Sequence, residues 1–160
     1  MAKKTTDNKA RRLQILDEEI ANALQIFGQE LVELMQKNLI GDKYDFTPLS
    51  TKPPPKKSPG GYAYRKKRDG YGDKPILVRT GSSLSGITFR YKKKGNRHKL
   101  DIISKVYNAH AKGGGNNDLP VRDAIGSSIS PMPGARSLFD RLHDQIGMNY
   151  VERIRQEGLV

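Results

Sequence analysis

The side chains with the most chemical reach are three histidines, a few serines, a glycine run and a dense set of lysines and arginines. His98, His110 and His143 are scattered and lack metal-ligand spacing. The chain has no cysteine, which rules out disulfides and thiolate metal sites. Gly113-Gly114-Gly115 follows Lys112, but no Gly-Lys-Ser/Thr sequence completes a phosphate loop. Ser83 and Ser85 have no spacing that ties them to His110 as nucleophile and base. Pairs of Asp and Glu fall on helix faces, where solvation is their ordinary role. No catalytic residue, cofactor or metal is therefore expected, and the chain does not read as an enzyme.

The remaining chemistry is charge. The net charge is +12, and its placement is uneven. Between Lys52 and Lys99 stand fifteen Lys and Arg against two acids, Asp69 and Asp73, a net +13. The rest of the chain is close to neutral. A localised anionic partner or one exposed arm explains this better than a generally basic fold.

The elements that must carry these residues follow from periodicity. Residues 11 to 39 predict one long amphipathic helix, with Leu13, Leu16, Ile20, Leu24, Phe27, Leu31, Leu34 and Leu39 on one face. Ile15, Ala23, Ile26, Val32 and Met35 widen that stripe, either as core or as a surface for a neighbouring subunit. Gly28 in mid-helix marks a close contact or a bend. Residues 1–10 read as a flexible N-terminus without the apolar run of a signal peptide.

Residues 41–75 hold six prolines, five glycines and the cluster Arg65-Lys66-Lys67-Arg68, and predict an extended arm. Tyr62 and Tyr64 beside Arg65, Lys66, Lys67 and Arg68 suit a contact with a neighbouring subunit or another protein partner. The same interleaving also suits nucleic acid.

Gly86–Tyr91 and Lys99–Val106 predict two strands joined by a cationic turn from Lys92 to His98. A loop centred on Gly113–Asn117 follows. A closing helix is predicted from Ala135 to about Glu157, with Leu138, Leu142, Ile146, Tyr150 (or Met148) and Ile154 on its apolar face. The fold class is α+β, a single domain over residues 1–160. No stretch approaches the roughly 20 apolar residues of a membrane span, and a soluble protein made in a cytoplasm is expected.

Between Lys74 and Gly126 the chain carries a recognisable order of short motifs. Lys74-Pro75-Ile76-Leu77-Val78-Arg79-Thr80-Gly81-Ser82-Ser83-Leu84 resembles the L-x-x-T-G-x-L element of phage virion-morphogenesis, or tail-completion, proteins. Val106-Tyr107-Asn108-Ala109-His110-Ala111-Lys112-Gly113-Gly114 is similar to that family's Y-A-x-x-H-x-x-G element. Leu119-Pro120-Val121-Arg122-Asp123-Ala124-Ile125-Gly126-Ser127-Ser128 is similar to its I-P-x-R-x-F-L-G-x-S element, with Ala124 where a bulky aromatic is common. Thr80, Gly81, Tyr107, His110, Pro120, Arg122 and Gly126 are the structural residues the resemblance singles out. Thr80-Gly81 offers a turn or helix cap. Arg122 offers either an intrachain brace or a bidentate subunit contact.

The resemblance implies a small antiparallel sheet flanked by helices, repeated as a homo-oligomeric ring at the head–tail junction of a tailed-phage virion. It implies a hexamer, or a dodecamer for a connector, assembled in the host cytoplasm. The implied partners are tail tube or sheath proteins, head connector proteins, and the double-stranded genome DNA passing through the ring. A chain of this size is roughly 40 Å across, so about 24 duplex phosphates lie within one ring. Six copies of a +13 segment bring 78 positive charges, far more than that. Only part of the segment is therefore expected to face DNA, namely the hairpin tip with Lys92, Lys93, Lys94, Arg97 and Lys99. The other reading is a small basic protein that binds nucleic acid without sequence specificity.

Overall fold

The computed structural model describes residues 2–41, 43, 62–73, 84–104 and 132–160. Five elements follow in order: α1 (Ala2–Ile40), α2 (Tyr62–Arg68), β1 (Thr88–Lys94), β2 (Arg97–Ile103) and α3 (Ala135–Gln156). The strands form a two-stranded antiparallel sheet, so the α+β class holds for the described residues. The chain divides into two compact units. The first comprises Met1–Leu31, Phe89–Ile102 and Gly134–Val160, and the second Val32–Thr88 and Ile103–Pro133.

Helix α1 is longer than its apolar repeat predicts, starting at Ala2 within the stretch 1–10. Residues 2–10 lack an apolar face but contain no Gly or Pro, so nothing in them breaks a helix that starts early. The face it buries keeps Phe27, Leu31 and Leu39 of the predicted stripe, but in its first half it shifts to the flanking positions Ile15 and Ala23. The deeply buried positions include a row at every fourth residue, Ile15, Glu19, Ala23, Phe27, Leu31, Met35 and Leu39, joined near its end by Val32 and Asn38. Steps of four overshoot the helical repeat, so this row winds about 240° around the axis from Ile15 to Leu39. Leu13, by contrast, is 58% exposed.

In the first unit α3 packs antiparallel to α1. Phe27 meets Phe139 with ring centroids 4.9 Å apart, and Leu138 is buried beside them in sequence. Ion pairs run along the helix pair in the same register. Arg153 bonds Glu19 at 2.7 Å and Glu18 at 2.6 Å, Arg11 bonds Glu157 at 2.6 Å, and Arg141 bonds Glu30 at 3.2 Å. Glu19 is almost wholly buried, and the Arg153 fork supplies the countercharge such a carboxylate needs. The end of α3 matches the sequence expectation within one residue. Gly158 at φ 64° takes the left-handed position after the helix, the Leu159 N–H bonds Ile154 O at 2.8 Å, and Leu159 turns into the core.

The hairpin is tighter than the sequence predicts. The seven residues from Lys92 to His98 are not a turn. Both strands continue through them, and only Gly95 and Asn96 connect β1 to β2. Gly95 sits at φ 58°, as a two-residue hairpin connection requires. Lysines mask the strand in sequence because their charge hides the alternation of faces that the backbone keeps.

In the second unit the described part holds the end of α1 and the short helix α2. Val32, Met35, Asn38, Leu39, Ile87 and Met132 are buried there. Asn38 donates from Nδ2 to Pro133 O at 2.8 Å, and Gln36 donates to Leu84 O at 3.1 Å. Tyr62–Arg68 is helical where an extended arm is predicted, because a run without Gly or Pro closes about two turns. Gly70 at φ 78° then follows. The remainder of the predicted arm, at 42, 44–61 and 74–75, lies outside the described residues.

Candidate anion-binding face

Strand alternation sorts the charges of the hairpin onto two faces. Phe89, Tyr91 and Lys93 of β1 and His98, Leu100 and Ile102 of β2 turn toward α1. The β-carbon that Gly28 lacks would lie 2.6 Å from the ring of Phe89, so the glycine permits this approach. Farther along, Asp17 accepts from Lys93 Nζ and from His98 Nε2, the latter at 2.9 Å. Tyr91 and His98 share a hydrogen bond of 2.8 Å between the phenol oxygen and Nδ1. The Lys93 hydrogen bond first, and that of His98 after it, hold the Asp17 carboxyl below its ordinary range. One carboxylate on α1 thus anchors the hairpin near its tip.

The other face carries Arg90, Lys92, Lys94, Arg97 and Lys99, all exposed. Its one acid, Asp101, bonds Lys99 at 2.7 Å and is held below the usual carboxylate range by that contact, with Lys92 and Arg90 adding to it. The two-residue connection sets Lys94 opposite Arg97, Lys92 opposite Lys99 and Arg90 opposite Asp101. Two of these cross-strand pairs bring like charges together, which costs stability. A solvated polar face has no need of that arrangement, whereas an anion resting on it relieves the repulsion.

Of the five hairpin residues expected to contact DNA, the structure gathers Lys92, Lys94, Arg97 and Lys99 on this face. Lys93 is turned to Asp17 instead. Arg90 joins the face and was missed because it sits before the densest charge run; counting in twos from Lys92 would have found it. Asp17 and His98 were missed as anchors, since nothing local in α1 marks Asp17 among its neighbouring acids.

Of the expected arm contacts, Tyr64 is exposed, as are Lys67 and Arg68, and Arg68 bonds Asp69 at 3.0 Å. Lys66 is 2% exposed and so presents no surface. The side chains of Tyr62 and Arg65 are outside the described residues, as are Thr80, Gly81, Tyr107, His110, Pro120, Arg122 and Gly126.

A second feature adjoins the hairpin. Leu13, Leu16 and Ile20 of α1, with Lys93, Asn96 and His98, line an open groove of about 440 Å³. Among the described residues no three His, Asp or Glu side chains gather as a metal site, and no helix is long and apolar enough to cross a membrane. Comparison with family models, with curated proteins and with solved structures gives no match for this chain.

Proposed function

We propose that the chain is a structural virion protein of a tailed phage, forming a homo-oligomeric ring at the head–tail junction around the DNA channel. The observation that carries the reading is the order long helix, basic hairpin, closing helix, combined with the order of short motifs between Lys74 and Gly126 in the sequence. The open groove that Leu13, Leu16 and Ile20 line together with Gln14, Asp17, Lys93, Asn96 and His98 supports it, because a ring needs an uncovered surface for the adjoining subunit. In this reading the hairpin's cationic face meets the genome, while Tyr64, Lys67 and Arg68 meet neighbouring subunits or tail and head-connector proteins.

Light scattering of the nuclease-treated protein tests the ring. Six copies of a 17.9 kDa chain give a particle of about 107 kDa, and twelve give about twice that. Leu16→Glu should dissociate it into monomers that keep the parent's helical circular dichroism. A wild-type monomer that also fails to dock on isolated tail ends would overturn the reading. The second reading, a free-standing binder of nucleic acid without sequence specificity, is favoured by the cationic face alone. It predicts tight, salt-sensitive binding by a monomer.

A further inference from the structure

The outer face of the hairpin has a composition specific enough to choose among polyanions. It presents Thr88, Arg90, Lys92 and Lys94 from β1, and Arg97, Lys99, Asp101 and Ile103 from β2. We propose that this face binds the phosphate backbone of B-form duplex DNA. The inference rests on reading the chain as a protein that meets nucleic acid, and it names the surface, its residues and the form of nucleic acid.

Three observations narrow the ligand. First, the face carries no aromatic side chain. Phe89 and Tyr91, the hairpin's two aromatic residues, are on the inner face against Gly28 and His98. Single strands are held by stacking bases on aromatic rings as well as by charge, so a single strand gains little here. Second, the face has no apolar centre. Protein interfaces are depleted in lysine and enriched in aromatic and apolar anchors at their core, and a sheet face of five cations lacks such anchors. An acidic protein surface is thereby a poor fit.

Third, the geometry suits a duplex. Cations on alternate residues of β1 recur about every 6.8 Å along a straight row, a regular ladder matched to a regular polyanion. Two strands about 4.8 Å apart make a ribbon narrow enough for the major groove of B-DNA, which is about 12 Å wide. From there the long Arg and Lys side chains on the two strands reach the phosphates on both rims. The major groove of an RNA duplex is deep and narrow, so the same ribbon lies less well on it. The inner-face anchor of Asp17 to Lys93 and His98 keeps the ribbon seated on α1 while the outer face engages the ligand.

Fluorescence anisotropy of the full chain with a 20-base-pair DNA duplex, its single strand and the matching RNA duplex tests this between 50 and 200 mM salt. The DNA duplex should bind tightest of the three. Each phosphate contact contributes about −0.9 to the slope of log affinity against log salt. The triple variant Lys92→Ala, Lys94→Ala, Arg97→Ala should therefore lose about 2.7 of that slope and about 500-fold in affinity at 0.1 M salt. Lys37→Ala, which removes an exposed cation of α1 outside the hairpin, should leave the slope unchanged, and Lys92→Arg with Lys94→Arg should preserve it. The triple variant should melt at or above the parent, since its like-charge pairs are gone. If it melts below, Lys94→Ala alone carries the test, with an expected slope loss of about 0.9.

An unchanged slope in these variants overturns the proposal, as does single-stranded DNA or polyglutamate competing as well as the duplex. A monomer that retains the duplex site would remove the ring and keep this inference. A hexamer whose duplex binding ignores these residues would do the reverse.

Discussion

Both faces of the one hairpin carry cations, and the cations of the two faces have opposite fates. The inner face holds Lys93 and His98, and both are spent on a single carboxylate of α1. The outer face holds Arg90, Lys92, Lys94, Arg97 and Lys99, with one acid to share. A lysine at 93 is therefore a structural residue, whereas lysines at 92 and 94 are surface charges set against other charges. The difference teaches that a basic run on a strand is two half-runs with separate roles. The division is made every second residue by the pleat.

Several substitutions would break or sharpen that contrast. The largest effect is expected from the inner face. Phe89→Ala should destabilise the protein by about 2–3 kcal/mol, less than a fully buried phenylalanine would cost because Phe89 is only partly enclosed. Urea unfolding measures it, and a loss under about 0.5 kcal/mol would show that the hairpin does not depend on the α1 contact. Gly28→Ala comes next. The added carbon would lie 2.6 Å from the Phe89 ring, and overpacking of about 1–3 kcal/mol exceeds the roughly 1 kcal/mol that alanine gains in a helix, leaving a net loss of about 1 kcal/mol. Combined with Phe89→Ala, the same substitution should become neutral or favourable.

Gly95→Ala forces a side chain into the left-handed region and should cost about 1 kcal/mol, although no atom crowds the site. Asp17→Asn removes the anchor and should alter the acid limb of stability. The folded state holds the Asp17 carboxyl below its unfolded value of about 3.9. Its contribution is thus present above that pH and lost as pH falls through the depressed folded value. Glu18 and Glu157, held down by Arg153 and Arg11, act in the same direction. Melting temperatures from pH 6 to pH 2 should therefore fall for the parent, and fall less steeply for Asp17→Asn, which starts lower. The smallest effect belongs to the outer face. Lys92→Ala should lie within about 0.5 kcal/mol of the parent and on the stabilising side, while Lys93→Ala should destabilise.

Much of the architecture is legible in the order of residue types along the chain. The closing helix is marked by Pro131 and Pro133 before it and by its repeat of apolar residues. The hairpin is marked by Gly95-Asn96 between alternating runs. What misleads is residue type taken singly. The apolar repeat centres the face on Leu13, Leu16 and Ile20 with Ile15 and Ala23 at its margin, but the buried row runs through Ile15, Glu19 and Ala23 because α3 lies on that side and supplies Arg153 to the carboxylate. No pattern within α1 contains that information. The predicted turn at 92–98 fails for a related reason, since lysine is a poor indicator of strand when long charged side chains can leave a sheet on either face.

Sequence alone determines here that two helices flank a small, strongly basic β-hairpin, and that the charge is confined to one segment of the chain. These are local properties, written in periodicity, turn residues and composition. Tertiary structure alone decides which lysine is an anchor and which stands exposed on the outer face, and which side of α1 is core. Those outcomes depend on what lies across from a residue: Asp17 faces Lys93 from far along the chain, and Arg153 faces Glu19 from farther still. An ion pair is a relation between two positions, so neither position states it by itself.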